Sequence, residues 1–289
     1  RWMGMHRLAK AFGWGAAMQT RVWTLLELYT VLVYGFMFAP ILVVLVLAFN
    51  SSQFGGFPIE GFSLRWFYEL AENEAIIRAL RTSVILGLLT ALIATTLGVL
   101  ASMALVRYQF RGKQWITTFL ISPVLVPETV LAVGLLIFLR WLHMPRSFGL
   151  LLIGHSIIAL PFVVLVVQAR LIGIRKDYEE AARSLGASPL QTFFQITLPL
   201  LMPAVFAGAL FAFTISFDNI TATIFWRPSG METVPTQIFG MLRNSVSPEI
   251  NALGFVMICI TVGVPLLAGA LARYFKPFRL PLLPCWSPV

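Results

Sequence analysis

Two carboxylates, Asp218 and Glu128, stand inside stretches that are otherwise apolar enough to enter a bilayer. A charge in that setting costs roughly 3 kcal/mol on insertion scales, so it is expected to face a bundle interior or a watery cavity. At about 100° per residue, one continuous helix would put Thr214, Asp218 and Thr221 on one stripe, and Ser216, Asn219 and Thr223 on nearly the opposite one. One stripe is expected to line a solute pathway while the other meets a partner helix. The alternative is a structural carboxylate paired with Arg227, a threonine or a backbone group. Glu128 follows Pro127, with Pro123 one turn earlier, so its stretch must bend and leave carbonyls without donors. A carboxylate beside freed carbonyls attracts cations; the alternative is a charge near the outer mouth or paired with Arg140. The lone His155 reads as a packed interior residue rather than a ligand.

Bond-making chemistry has no such candidates. Gly112-Lys113 is followed by Gln114 and preceded by no matching glycine, so there is no phosphate-binding G-x-x-x-x-G-K-[ST] loop. H-E-x-x-H and G-x-S-x-G are also missing from the sequence, and Cys259 and Cys285 have neither metal nor disulfide spacing. No catalytic or metal-ligating residue is assigned.

A third group belongs to a different kind of chemistry, recognition of another protein. Glu180-Ala181-Ala182 is followed after three residues by Gly186, and after nine more by Ile196-Thr197-Leu198-Pro199. Asp177, Glu179 and Glu180 favour a helix start, Gly186 a break, and Pro189 lies just beyond. This is a short helix that stops abruptly and turns, between two apolar stretches, and so faces water at a membrane surface.

The elements that must position these residues are membrane spans. The 289 residues are 58% hydrophobic and only 11% charged, with a mean hydropathy of +0.86, which excludes an ordinary soluble protein. The net charge of +9 comes without a Lys/Arg run, so membrane topology explains it better than nucleic acid. Six apolar stretches, 29–49, 79–106, 115–139, 148–169, 200–225 and 251–274, meet the roughly 20 residues needed to cross the hydrocarbon core. With both ends inside, 14 of the 21 Lys and Arg fall in inner segments, Arg107, Arg111 and Arg175 among them. The segment around Glu180 then lies in the cytoplasm. The division expected is a cytoplasmic segment 1–28, a transmembrane domain 29–275 with a cytoplasmic loop at about 170–199, and a cytoplasmic tail 276–289. About 30 residues precede the first apolar run and no small-x-small site follows it, so a cleaved signal peptide is not expected; the chain begins at Arg1, which leaves upstream residues open. Two outer connections carry structure of their own: an amphipathic interfacial helix at 64–70 with Trp66, Phe67 and Tyr68, and a re-entrant or surface helix with Ile238, Met241 and Leu242.

The loop from Glu180 to Pro199 matches at every fixed position the E-A-A, three residues, G, nine residues, I-x-L-P pattern of ABC importer permeases, which the chain resembles from about Tyr29 to Lys276. Ser122-Pro123 to Pro127-Glu128, Ile215-Ser216-Phe217-Asp218-Asn219, and Ser247-Pro248-Glu249-Ile250-Asn251-Ala252-Leu253 look like the spermidine/putrescine-type permeases, specifically the second of their two permease chains. Those often carry a second acid where Asn219 stands here, which leaves one negative charge fewer. The resemblance implies an all-α, type I ABC importer fold with six transmembrane helices and both termini cytoplasmic, in a bacterial inner membrane. It implies a coupling helix at Glu180, Ala181 and Ala182 that docks into an ATPase subunit, a turn at Gly186, and Ile196, Leu198 and Pro199 packing the return into the membrane. The implied partners are a second permease chain in a heterodimer, two ATPase subunits that bind ATP and Mg, and a periplasmic or lipid-anchored solute-binding protein. The implied mechanism is alternating access for a small cationic solute such as a polyamine. Permeases for other cationic or zwitterionic solutes share much of the pattern, and a proton-coupled transporter using Glu128 and Asp218 as a relay is a reading from another class.

Overall fold

The structure, a computed structural model, describes the backbone of residues 14–53, 56–244 and 247–274, with side chains over 26–53, 56–243 and 247–270. The tail 276–289, Cys285 and the first 13 residues lie outside the described residues. Every element of regular length is helical: α1 (Trp14–Leu47), α2 (Arg65–Glu72), α3 (Glu74–Arg107), α4 (Lys113–Leu125), α5 (Glu128–Trp141), α6 (Phe148–Ile172), α7 (Asp177–Ser184), α8 (Pro189–Thr192), a five-residue π turn (Phe193–Thr197), α9 (Leu198–Phe217), α10 (Thr221–Trp226), α11 (Val234–Asn244) and α12 (Glu249–Tyr274). Among the described residues, five helices are long and apolar enough to cross a membrane alone, and α4 with α5, bent by 112°, makes a sixth if the pair is one broken span. Neither half of that pair suffices by itself, since 13 or 14 residues rise only about 20 Å.

The core is a three-helix bundle of α3, α6 and α9. Helix α3 buries Ala91, Ala94, Gly98 and Ser102 against α6, which answers with Val163, Val164 and Val167. Small residues let the backbones approach: a Cβ on Gly98 would come within 2.6 Å of Val163, and one on Gly208 of α9 within 3.1 Å of the same side chain. Ser102 Oγ donates across the gap to Val164 O at 3.3 Å. By contrast α1 is exposed along nearly its whole described length and packs on α12, at the outside of the bundle.

Contacts at the two ends fix the threading. Arg107, at the end of α3, reaches Ile174, just past the end of α6, so these two helices finish on one face. The chain therefore leaves α3 on that face and enters α6 on the other, and the bent α4/α5 pair carries it across. Helix α9 starts beside α7, through Thr197, and runs to the far face, where Trp66, Leu70, Ile76, Val234, Ala252 and Leu253 join α2, α3, α11 and α12 in one cluster. Both outer helices, α1 and α12, consequently have their free ends on the face that carries α7.

Helix α1 is already formed at Trp14, within the segment 1–28. Two sequence expectations change. The amphipathic helix expected at 64–70 is α2, but its buried Trp66 and Leu70 face protein, and Trp66 Nε1 donates to Asn50 O at 2.7 Å. The stretch 200–225 is two helices, because α9 ends at Phe217 and α10 begins at Thr221.

Candidate functional site

The knob around Glu180 is built by local rules. Helix α7 opens with Asp177, Glu179 and Glu180 in its first turn and carries Arg183 in its last, matching the helix dipole at both ends. Arg175, hydrogen-bonded to Asp177, holds that carboxyl below the ordinary range. Gly186 then takes φ +92°, while its N–H donates to Arg183 O at 2.9 Å and Ala187 N–H to Ala182 O at 3.0 Å. This pair of bonds is a Schellman stop, which needs a left-handed residue where glycine stands. Ser188 restarts the chain with a capping box to Gln191, and Pro189 takes the first position of α8, so this proline opens a helix rather than only ending one. Glu180, Ala181 and Gly186 are exposed, as are Tyr178, Leu185 and Leu190, and Ala182 is half-buried. Ile196 and Leu198 are half-buried on the return, and Pro199 lies in the first turn of α9, where its missing N–H is harmless.

What holds the knob is a residue the sequence did not single out. Glu179 is the one buried side chain of α7. Its Oε1 accepts from Arg107 Nε at 2.9 Å and from Thr197 Oγ1 at 3.1 Å, and Arg107 Nη2 also donates to Ile174 O at 3.1 Å. The paired side chains are only 7% and 8% exposed, so each charge depends on the other for the solvation it lost. A single sequence holds no signal for a pair 72 residues apart.

The two membrane carboxylates sit at two helix breaks that are joined through Asn219. Pro127 and Val126 separate α4 from α5, putting Glu128 in the first turn of α5, where a carboxylate suits the helix N-terminus. Between α9 and α10 the side-chain oxygen of Asn219 accepts the N–H groups of Ala222 and Thr223, at 3.1 and 3.3 Å, which caps the new helix. Asn219 Nδ2 donates to Glu128, joining the two breaks. The stripe of Thr214, Asp218 and Thr221 on one continuous helix is thereby corrected: Thr214 precedes the break, Asp218 sits at it, and Thr221 begins α10. Asp218 is exposed, and its carboxylate has no hydrogen bond or ion pair among the described residues. The expected structural partners are engaged or distant. Arg227 bonds Glu232 and Met231 O, and Arg140 lies at the opposite end of α5 from Glu128.

Behind the breaks runs a buried hydrogen-bond chain that the sequence reading also missed. His155 Nδ1 contacts Ser216 Oγ at 2.8 Å and its Nε2 contacts Thr223 Oγ1 at 3.0 Å. Ser216 Oγ donates to Thr90 Oγ1 at 3.2 Å, and Thr223 Oγ1 to Asn219 O at 2.7 Å. His155 is therefore the packed interior residue expected, but as the hub of a network spanning α3, α6, α9 and α10. Trp226 seals it, with Nε1 donating to Ala132 O at 2.8 Å and its ring set against Gly154, where a Cβ would lie 2.2 Å away. His155 is seven residues into α6, so the breaks lie about 10 Å below the face opposite α7.

Residues 94–279 match the family described as binding-protein-dependent transport system inner membrane component. The spermidine/putrescine transport system permease protein PotC of Escherichia coli (strain K12) is 35% identical over 241 residues, covering 83% of this chain and 91% of the relative. The putrescine transport system permease protein PotI of the same strain is 35% identical over 248 residues, covering 83% and 86%. Among solved structures, a bacterial ABC transporter involved in the import of alginate superposes with a TM-score of 0.73 over 91% of this chain and 99% of that one, at 16% identity, and so supports the fold. An all-helical membrane bundle, a helix stop at Gly186 matched to the loop pattern, and relatives covering most of the chain lead to one conclusion: the protein belongs to the family of inner membrane components of binding-protein-dependent transport systems.

Proposed function

We propose that the chain is one of two permease subunits of an ATP-driven importer of polyamines, with the pathway passing the two helix breaks. The observation that carries this reading is Asp218: a carboxylate at the break between two membrane helices, with no hydrogen bond or ion pair among the described residues, and next in sequence to Asn219, which bonds Glu128. A second permease chain opposite this flank would enclose it. A polyamine entering there gives up part of its hydration, and Asp218 with Glu128 replaces some of it without closing around the cation, a condition for release as well as entry. Thr214 and Thr221 add hydroxyls on either side of the break. Relatives named for spermidine/putrescine and putrescine transport support the solute class.

Energy reaches this site from partners. On this reading the exposed face of α7, with Glu180, Ala181 and the turn at Gly186, docks into an ATPase subunit that binds ATP and Mg, and Ile196, Leu198 and Pro199 seat the return. A solute-binding protein delivers solute at the opposite face. The basic bias of the sequence assigns the α7 face to the cytoplasm. Each ATPase state favours a different tilt of the bundle through its contacts with α7, which is the differential interaction that alternating access requires.

Asp218→Asn tests the solute site, since it deletes the charge at nearly constant shape. The expected outcome is normal assembly with the ATPase and at least a tenfold loss of labelled putrescine uptake in membrane vesicles. Uptake at the wild-type rate would remove the main support for a cation pathway here.

A further inference from the structure

We propose that the buried node of Arg107, Glu179 and Thr197 is the strut that delivers movement of α7 to the membrane bundle; this rests on α7 being the ATPase contact. Helix α7 has eight residues and is connected through Gly173 before it and Gly186 after it, so an applied push would be absorbed by turning unless the helix were pinned. Its only buried side chain is Glu179, whose carboxylate bonds Arg107 and Thr197, both at the ends of core elements. Arg107 ends α3, Ile174 extends α6 and Thr197 leads directly into α9. All three core helices thus converge on one ion pair, Glu179 with the Arg107 fork.

The type of contact matters. Apolar packing is non-directional and lets a helix slide, whereas a charged fork holding a carboxylate and a carbonyl fixes direction as well as distance. The same three helices meet again at the far end of the bundle, through Thr90 of α3, His155 of α6 and Ser216 of α9, next to the breaks that hold Asn219 and Glu128. Between these polar nodes the helices are in glycine-mediated contact, at Gly98 and Gly208 against Val163, and so move as packed bodies rather than bending independently. A tilt imposed at Glu179 changes the geometry at Glu128 and Asp218.

The experiment uses the full complex with its ATPase, second permease and binding protein in proteoliposomes, with putrescine as the probe. Arg107→Met with Glu179→Leu removes both charges while keeping apolar bulk, the kind of replacement that buried ion pairs usually tolerate. ATPase copurification at the wild-type ratio and basal hydrolysis within twofold are expected, with putrescine imported per ATP hydrolysed falling at least tenfold. Wild-type import per ATP in this double variant overturns the proposal, and so does loss of the ATPase from it, which would make the pair an assembly element only. Arg107→Lys keeps the charge but loses the fork that reaches both Glu179 and Ile174. It is expected to assemble and to import less per ATP, and wild-type import from this variant overturns the two-point strut. If the wild-type chain itself retains no ATPase, the reading of α7 as the ATPase contact falls instead, and the strut loses its input with it.

Discussion

At the base of α7, Glu179 is enclosed by Arg107 and Thr197, while one residue later Glu180 is exposed with no side-chain partner among the described residues. At the membrane breaks, Glu128 has the amide of Asn219, while Asp218 has no side-chain partner among the described residues. Both regions pair a held carboxylate with a free one, yet the holding differs. Glu179 meets a full positive charge because it is buried, and desolvation would otherwise be prohibitive. Glu128, exposed, is oriented by a neutral amide rather than by a cation. On the readings proposed above, the difference separates a carboxylate that carries force from carboxylates left open to a cation.

The strongest way to break this comparison is to remove the buried partner. Glu179→Ala leaves Arg107 buried and unpaired and is expected to cost about 3–5 kcal/mol, whereas Glu180→Ala at the exposed neighbour should stay within about 0.5 kcal/mol. Thermal unfolding of the two variants in the same detergent checks it; coincident melting curves would mean that the α7 node holds nothing.

A second test asks whether the breaks depend on packing behind them. Gly154→Ala would put a methyl 2.2 Å from the Trp226 ring. The expected cost is about 1–3 kcal/mol, with displacement of α10 and hence of the cap at Asn219. Gly134→Ala on α5, where a Cβ meets nothing within 4 Å, is the matched control and should leave melting unchanged. Equal stability of the two would show that α10 is not clamped by α6.

The smallest expected effect sharpens the role of the knob. Gly186→Val forces a branched side chain into φ +92°, a strain of about 1–2 kcal/mol confined to a surface turn. Membrane insertion should survive while copurification of the ATPase drops, and unchanged copurification at equal expression would detach Gly186 from docking.

Much of this was legible in the residues themselves. Hydropathy located the spans because crossing a bilayer demands about 20 apolar residues in succession, and Pro123 with Pro127 announced the bend in the third stretch. The stop at Gly186 was readable because a Schellman turn is local and selects glycine. The break after Phe217 was not read, although Asn219 followed by Thr221 and Thr223 has the composition of a cap; an unbroken hydrophobic count across 200–225 concealed it.

Other assignments had no local trace. Whether Glu179 or Glu180 is the buried one depends on which face of α7 meets Arg107, a residue 72 positions earlier. That Asn219 would hold Glu128, 91 positions away, follows from two helix breaks reaching the same depth in the bundle. Composition and spacing set the helices, their turns and the membrane, since those depend on a residue and its near neighbours. Which carboxylate is clamped and which stays free was decided only when α3, α6 and α9 packed together, because desolvation and pairing are properties of what surrounds a charge in space.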